Sequence, residues 1–417
     1  MSISLLDQVS LGYQLYWNAQ REPAAVGLAI GTHGAPLTDG PALLATLQAL
    51  WPRQALPLLL AVSSGALLRS LLDHAQPGSP GLILEESQLR DPSMARRVHH
   101  AHQRGLALLW RGTAGARPST ALAPCFSGLL LTLTAQEALT GLQASRLKPK
   151  AFEQAWSAPT HSTLPSGHLY ADVASRRLVD LCLDELNAWG VVGWPVDEVL
   201  DGYGKRLIQP AQSVITRLLE AVDADDSSSD IDQLLRREPI PAYRLLRFAN
   251  SAGLGLRMPV DALSRAVEAL GCGQLRAWLR EQRSRASSDP DLLPISTAMT
   301  LRARLMVQLQ PDGAGQCPEE DVYLCGLLSQ MDLLLGEPLP AVLARLPLPA
   351  SVKAALLQQT GPIRAALEIA TALESDHTDR TRLLCELHQV EAQTVNRVLL
   401  QTLAQTRHQP AKSLLLV

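Results

Sequence analysis

The chain has 417 residues, room for two or three domains at roughly 100–200 residues each. Hydrophobic residues make up 47% and charged residues 18%, which excludes a disordered chain and supports sizeable buried cores. The net charge of −3 supplies no basic field for nucleic acid or an anionic membrane.

The first residues carry neither a basic run nor a long apolar stretch, so no secretory leader is expected. No uncharged apolar run reaches the ~18 residues that a membrane span needs, and a cytoplasmic location follows as an expectation. The six cysteines are scattered without a CxxC pair, a spacing that gives no zinc or disulfide framework and reads as reduced thiols.

Along the first half, strand-length apolar runs fall at residues 9–17, 25–31, 56–62, 81–85, 105–110, 128–134, 168–173 and 190–194. Most are bounded by Gly, Pro or Ser. Helical patterns lie between them at 41–51, 65–74, 92–104, 136–142 and 174–189, and Asp91 stands where a helix N-cap belongs, directly before Pro92. Alternating strands and helices predict a parallel sheet with helices outside, and about eight strands favour a barrel over an open doubly wound sheet. Several short connections leave an incomplete barrel open.

From about Tyr203 helical periodicity takes over, at 209–222, 229–236, 240–251, 260–270, 273–283, 295–309, 319–335, 339–345, 350–358, 363–374, 379–388 and 391–406. Pro and Gly punctuate the gaps. The acidic, serine-rich run 223–230 reads as a solvated loop ending in an N-cap, and the residues after Arg407 as a loose tail. The predicted fold class is therefore α/β followed by all-α.

The most specific motif runs from Asp230 to Leu279. Pro239, Leu245 to Arg247, Asn250 to Ala252, Ala269 to Gly271 and Trp278 stand in the order "P…LLR-x-x-NSA…A-x-x-x-LG…W". This stretch of about fifty residues resembles the HDOD family, helical bundles related to HD-domain phosphohydrolases. The acidic residue before the proline is Glu238 here. Leu245, Leu246 and Phe248 share one helix, while Asn250 and Ser251 fall at its end, where short polar side chains satisfy orphan backbone groups. Gly253 and Gly255 allow a sharp turn. A ligand-binding Asn250 is the alternative to capping.

Residues 322–363 resemble the region where an HD phosphohydrolase carries "GLLHD-x-G", and the dyad falls on Ser329 and Gln330. Neither side chain is a useful divalent-metal ligand, and metal-dependent hydrolysis needs several His and Asp. No histidine occurs between His168 and His377. "S-x-MD-x-LLG" followed by "LP-x-x-V" is the form found in HDOD domains behind EAL-like domains, so the whole chain is read as similar to the EAL–HDOD signalling family.

An EAL domain is a barrel that hydrolyses cyclic di-GMP with two metal ions held by strand-end carboxylates and an Asn. The signature "Y-E-x-L-x-R" resembles Tyr13 to Trp17, with Gln14 replacing the glutamate. Residues 58–64 lack the Asn. Glu85 is retained, while Trp110 and Arg111 replace an Asp pair. Residues 129–134 have neither Lys nor Asp, Asp172 stands for a late Glu, and Ser175 replaces another. Residues 192–195 keep Gly193 and Trp194 without the Gln. Arg111 at a former carboxylate position opposes cation binding.

Lesser constellations have simpler readings. His99 and His102 share a helix face beside Arg96 and Arg97, which reads as surface rather than a metal site. Ser64 reads as an N-cap, since no nucleophile elbow or phosphate loop surrounds it. The tryptophans Trp17, Trp51, Trp110, Trp156, Trp189 and Trp194 read as core, with Trp110 and Trp194 expected near the barrel's mouth. The expected domains are a degenerate EAL-like domain at 1–199, an HDOD domain at 200–407 and a flexible tail at 408–417.

What the resemblance implies is a non-enzymatic cytoplasmic signalling scaffold. Its partners would be other signalling proteins and a second copy of itself, its outputs linked to cyclic di-GMP regulation, and it would use no cofactor or metal and bind no nucleic acid. The alternative is a receptor that binds cyclic di-GMP without cleaving it, through Arg111 and Trp194. Further rivals are an active phosphodiesterase or HD hydrolase, and a nucleic-acid regulator that the acidic charge argues against.

Overall fold

A computed structural model of the protein describes residues 5–32, 37–146, 164–203, 208–224, 226–254, 258–310 and 317–406. The strands are β1 (Val9–Trp17), β2 (Pro23–Thr32), β3 (Leu58–Val62), β4 (Gly81–Glu85), β5 (Leu108–Thr113), β6 (Gly128–Thr132), β7 (Leu169–Ala171) and β8 (Gly190–Val192). Among them run α1 (Gly40–Leu50), α2 (Gly65–His74), α3 (Pro92–Gln103), α4 (Ala135–Arg146) and α5 (Arg176–Asp180). There follow α6 (Val196–Asp201), α7 (Gln212–Asp223), α8 (Ser228–Arg236), α9 (Pro239–Ala249), α10 (Leu263–Arg283), α11 (Leu293–Gln308) and α12 (Glu319–Leu328). The remaining described helices are α13 (Met331–Leu335), α14 (Leu339–Leu343), α15 (Ala350–Lys353), α16 (Arg364–Leu373), α17 (Thr378–His388) and α18 (Ala392–Ala404). Of the described residues, 5–198 and 372–406 form one compact unit and 199–371 a second.

In the first unit the eight strands close a barrel in sequence order, which removes the incomplete-barrel alternative. All neighbours from β2 to β8 are parallel, but β1 is antiparallel to both β2 and β8. The strictly parallel sheet expected from the alternation fails at β1, because residues 18–22 are too short for a crossover and make a hairpin instead. Arg21 sits in that turn at φ 60, and its buried guanidinium bonds Ala19 O, Asp180 and Asp184.

Every strand contributes to a single interior layer: Tyr16, Ala25, Leu59, Ile83, Leu109, Leu130, Leu169 and Val192 among them. Side chains alternate along a strand, so these residues fix which positions face inward. Trp110, next to inward Leu109, therefore points outward into the helical layer and is fully buried, not towards the mouth as expected.

Local signals explain the helices around this barrel. Ser64 caps α2 by accepting from Leu67 N, Asp91 caps α3 by accepting from Ser93 N, and Leu67, Leu68, Leu71 and Leu72 bury one face of α2. Among the described residues β1 pairs with β8 at Trp17↔Val191 alone, and other groups take the place of a strand along the rest of that edge. The amide of Asn396 on α18 is one of them: Oδ1 accepts from Leu11 N at 3.3 Å, and Nδ2 donates to Leu6 O at 2.9 Å and Val9 O at 2.8 Å. An unpaired strand edge is a liability, and a buried amide is one way to satisfy it. The last two helices, assigned from sequence to the helical domain ending at 407, thus pack with the barrel. The expected tail at 408–417 lies outside the described residues.

The second unit is helical. Gly326 lets α12 press on α11, since a Cβ there would lie 2.5 Å from Ala303 Cα. The two helices read at 260–270 and 273–283 are the two parts of α10, which meet at a kink where Gly271 adopts φ 61 and ψ 169, outside the helical region. The N-cap in the 223–230 run is Ser227, which accepts from Asp230 N. No helix of the described residues is long and apolar enough to cross a membrane.

Candidate functional site

The carboxyl ends of the parallel strands form the mouth where barrel enzymes carry their chemistry. By alternation from Tyr16, Ile83 and Leu109, the inward positions above the core are Gln14, Glu85 and Arg111. Glu85 and Arg111 are register partners on β4 and β5, and their Oε1 and Nη1 atoms lie 3.9 Å apart. Glu85 Oε2 also accepts from Ser87 Oγ at 3.3 Å. The one retained carboxylate thus faces a guanidinium. Asp172 follows β7 at φ 54, exposed, with its N donating to Val192 O.

Tyr16 lies below this rim. Burial pushes its phenol upward, the positive charge of Arg111 pulls it down, and the carboxylate of Asp376 raises it. Trp194 and Trp17 meet edge to face, with ring centroids 6.3 Å apart. Trp110 lies against Gly112, where an added Cβ would strike its ring. Trp156 lies outside the described residues.

An EAL-type or HD-type site would hold divalent metal, and the donor set here does not fit one. Among the described residues no group of three or more His, Cys, Asp or Glu is placed to hold a metal ion. The mouth offers the neutral amide of Gln14, the carboxylate of Glu85 beside the guanidinium of Arg111, and the exposed Asp172, and the positive charge of Arg111 repels an incoming divalent ion.

The Cys125 thiol lies 3.5 Å from His99 Nδ1, a Cys–His pairing that could suggest a nucleophile. Burial raises the Cys125 pKa, which opposes the thiolate that such chemistry needs. Burial likewise pushes Cys182 and Cys325 up to about 12.

In the helical unit, Pro239 opens α9 behind Glu238, and Asn250 closes it. The Asn250 amide donates to Leu246 O at 2.8 Å and Val260 O at 2.7 Å, and accepts from Val260 N at 2.8 Å. All three bonds go to backbone, tying the end of α9 to the approach to α10. Ser251 N donates to Phe248 O, and Phe248 stacks on Trp278 with centroids 6.1 Å apart. A groove of about 500 Å³ opens beside Asn250 and Ser251, with Met258, Pro259 and residues 344–347 on its walls. Gly255 lies outside the described residues.

Ser329 ends α12 and Gln330 precedes α13. Ser329 Oγ donates to Gly326 O at 2.8 Å and accepts from Nη1 of buried Arg302 at 2.9 Å. An arginine on α11 therefore occupies the surroundings of the expected dyad. Nearby on α8, Arg236 bonds Asp232 at 2.6 Å and Glu320 at 3.1 Å and lies 5.3 Å over the Tyr323 ring. Ser264 donates to Glu320 as well, so this network pins α8, α10 and α12 together.

Sequence reading missed Arg302, Asn396 and the course of residues 373–378. Asn396 left one signal, a lone amide among Val395, Leu399, Leu400 and Leu403 on an otherwise apolar face.

Residues 208–346 match the sequence profile of the HDOD domain. The chain is 22% identical over 171 residues to the cyclic di-GMP phosphodiesterase CdgJ of Vibrio cholerae, covering 41% of this chain and 40% of that protein. It is 25% identical over 155 residues to the uncharacterized protein YuxH of Bacillus subtilis, covering 36% and 37%. The matched stretch thus spans about two fifths of these relatives' own length. Among solved structures, the MmoQ response regulator of Methylococcus capsulatus matches with a TM-score of 0.37 and 16% identity, covering 47% of this chain and 98% of that one.

Proposed function

We propose that the protein is a signalling component without enzymatic activity, a degenerate EAL-type barrel joined to an HDOD domain, acting through contacts with other signalling proteins in cyclic di-GMP-related regulation. Its partners would be cytoplasmic and include a second copy of the chain. The observation that carries this reading is the Glu85–Arg111 pair: the mouth's inward carboxylate sits 3.9 Å from a guanidinium instead of beside further acids. Arg302 at Ser329 supports the same reading in the helical domain. The link to cyclic di-GMP rests on the resemblance to CdgJ, which carries the phosphodiesterase name.

One second reading has an observation in its favour. Arg111 at the mouth, with a side chain 28% exposed, suits a receptor that holds a phosphate without cleaving it. Calorimetric titration of the full chain with cyclic di-GMP, with and without magnesium, separates the two. The scaffold reading expects no saturable heat in either condition. Saturable binding abolished by Arg111→Ala would favour the receptor.

A further inference from the structure

The groove beside Asn250 and Ser251 runs between two segments of the helical unit, residues 249–252 at the end of α9 and 344–347 after α14, with Met258 and Pro259 completing its wall. Its volume of about 500 Å³ falls in the range of ligand sites, about 300–1,000 Å³. Of the lining residues, Ala249 and Leu346 are buried, while Ala252, Ala344 and Met258 are exposed, Met258 to 76%. An exposed methionine is soft, adaptable apolar surface, suited to gripping side chains of varied shape.

The walls are braced against each other. The Asn250 amide exchanges two hydrogen bonds with Val260, at 2.7 and 2.8 Å, which fixes the strip that carries Met258 and Pro259. Tyr243 Oη donates to Val342 O at 3.3 Å, which holds α9 to α14. The groove is therefore formed before anything enters it, and a preformed site avoids the ordering cost of binding. Both Nδ2 hydrogens of Asn250 go to backbone carbonyls, so this residue builds the wall and does not read the occupant.

Charge selects the occupant. Arg247 stands three residues before Asn250 on α9, exposed, with its guanidinium 5.8 Å from the Tyr243 ring centroid. Among the described residues it has no carboxylate partner. Arg345, on the groove wall, bonds both carboxylate oxygens of Glu337, so that acid is already engaged. Arg345 holds the Glu337 carboxyl below its usual range and Arg247 adds to the pull, which places both guanidiniums within electrostatic reach of one carboxylate. A net positive rim thus borders a partly apolar hollow.

We propose that this groove docks a short segment of a partner protein that carries a large apolar side chain with a carboxylate close by, the apolar group lying against Met258 and Leu346 and the carboxylate meeting Arg247. A charge-assisted bond to a guanidinium that no acid of the described residues occupies adds both affinity and selectivity. The proposal rests on the scaffold reading and names the chemistry of the partner that reading requires.

Selection from a random short-peptide library displayed on phage, against the immobilised full-length protein, tests it. Wild type is expected to enrich peptides that pair a large apolar residue with Asp or Glu. Arg247→Glu is expected to turn the selected charge from acidic to basic. It is also expected to weaken a wild-type-selected peptide ~10-fold or more in fluorescence anisotropy. Ala344→Trp, at an exposed position on the groove wall, is expected to abolish enrichment. Thermal melts check that both variants fold, and should Ala344→Trp fail to, Arg247→Glu decides. No enrichment by wild type overturns the proposal, and so do selected peptides without an acid or an acidic preference retained by Arg247→Glu. Displacement of a selected peptide by cyclic di-GMP would assign the groove to a nucleotide and overturn it as well. Turnover of cyclic di-GMP, read in the same preparation without peptide, judges the scaffold reading separately: no turnover with no enrichment sinks the docking site alone.

Discussion

Oγ of Ser329 accepts a 2.9 Å hydrogen bond from Nη1 of Arg302, a residue only 5% exposed. A cation is thus built in beside the position that the sequence resemblance gives to an HD dyad. Restoring the dyad in letter, with Ser329→His and Gln330→Asp, is expected to leave manganese unbound in a calorimetric titration, because the guanidinium remains. Arg302→Ala is expected to destabilise the helical unit by about 2–3 kcal/mol in urea unfolding. Stoichiometric manganese binding by the dyad variant contradicts this account.

Asn396 satisfies two backbone groups of β1, Leu11 N and Val9 O, and one just before it, Leu6 O. Leaving buried donors and acceptors unpaired costs about 1–3 kcal/mol each before relaxation. Asn396→Ala is expected to lower stability by roughly 2–3 kcal/mol and to raise hydrogen exchange at Leu11. An unfolding midpoint unchanged from wild type would show that water replaces the amide.

Glu238 gives a pH signature. Burial pushes its carboxyl from 4.5 up to about 7, against the pull of Arg217 and Arg237. The folded form holds the proton more tightly than the unfolded one, so this group's contribution is fully present below pH 4.5 and lost as the pH rises through about 7. Glu238→Gln is expected to flatten the fall in melting temperature over that window and to stabilise the protein at pH 8. Its partner Arg217 is half exposed, so losing the pair costs little, ~1 kcal/mol at most. Parallel pH profiles for variant and wild type would refute the assignment.

Trp110 and Arg111 are adjacent in sequence and opposite in role. Trp110→Ala removes a fully buried indole and is expected to cost ~3–5 kcal/mol. Arg111→Ala removes a partly exposed pair with Glu85 and is expected to cost under ~1 kcal/mol. Equal losses in chemical denaturation would mean that the alternation along β5 is misassigned.

Much of this architecture is legible in the sequence because period and punctuation report local physics. Capping at Ser64 and Asp91 follows from short polar side chains before apolar helices. The run at 9–17 coincides with β1, yet its antiparallel direction was missed, since a strand pattern carries no direction and only the short 18–22 link does. Trp110 was misplaced because alternation needs one inward residue as reference, and Leu109 becomes that reference only when all strands are seen together. Asn396 and the turn at 373–378 act across nearly four hundred residues of chain on β1, a separation at which neither periodicity nor capping carries information. Arg302 hid for a similar reason: α11 reads as an ordinary helix until α12 is packed against it.

The central claim is that neither half cleaves a phosphodiester. Incubating the purified full-length chain with cyclic di-GMP and manganese, and following the linear dinucleotide by chromatography, tests it most directly. The account predicts no product above a protein-free control. Product that scales with protein concentration and disappears in Glu85→Gln would contradict it.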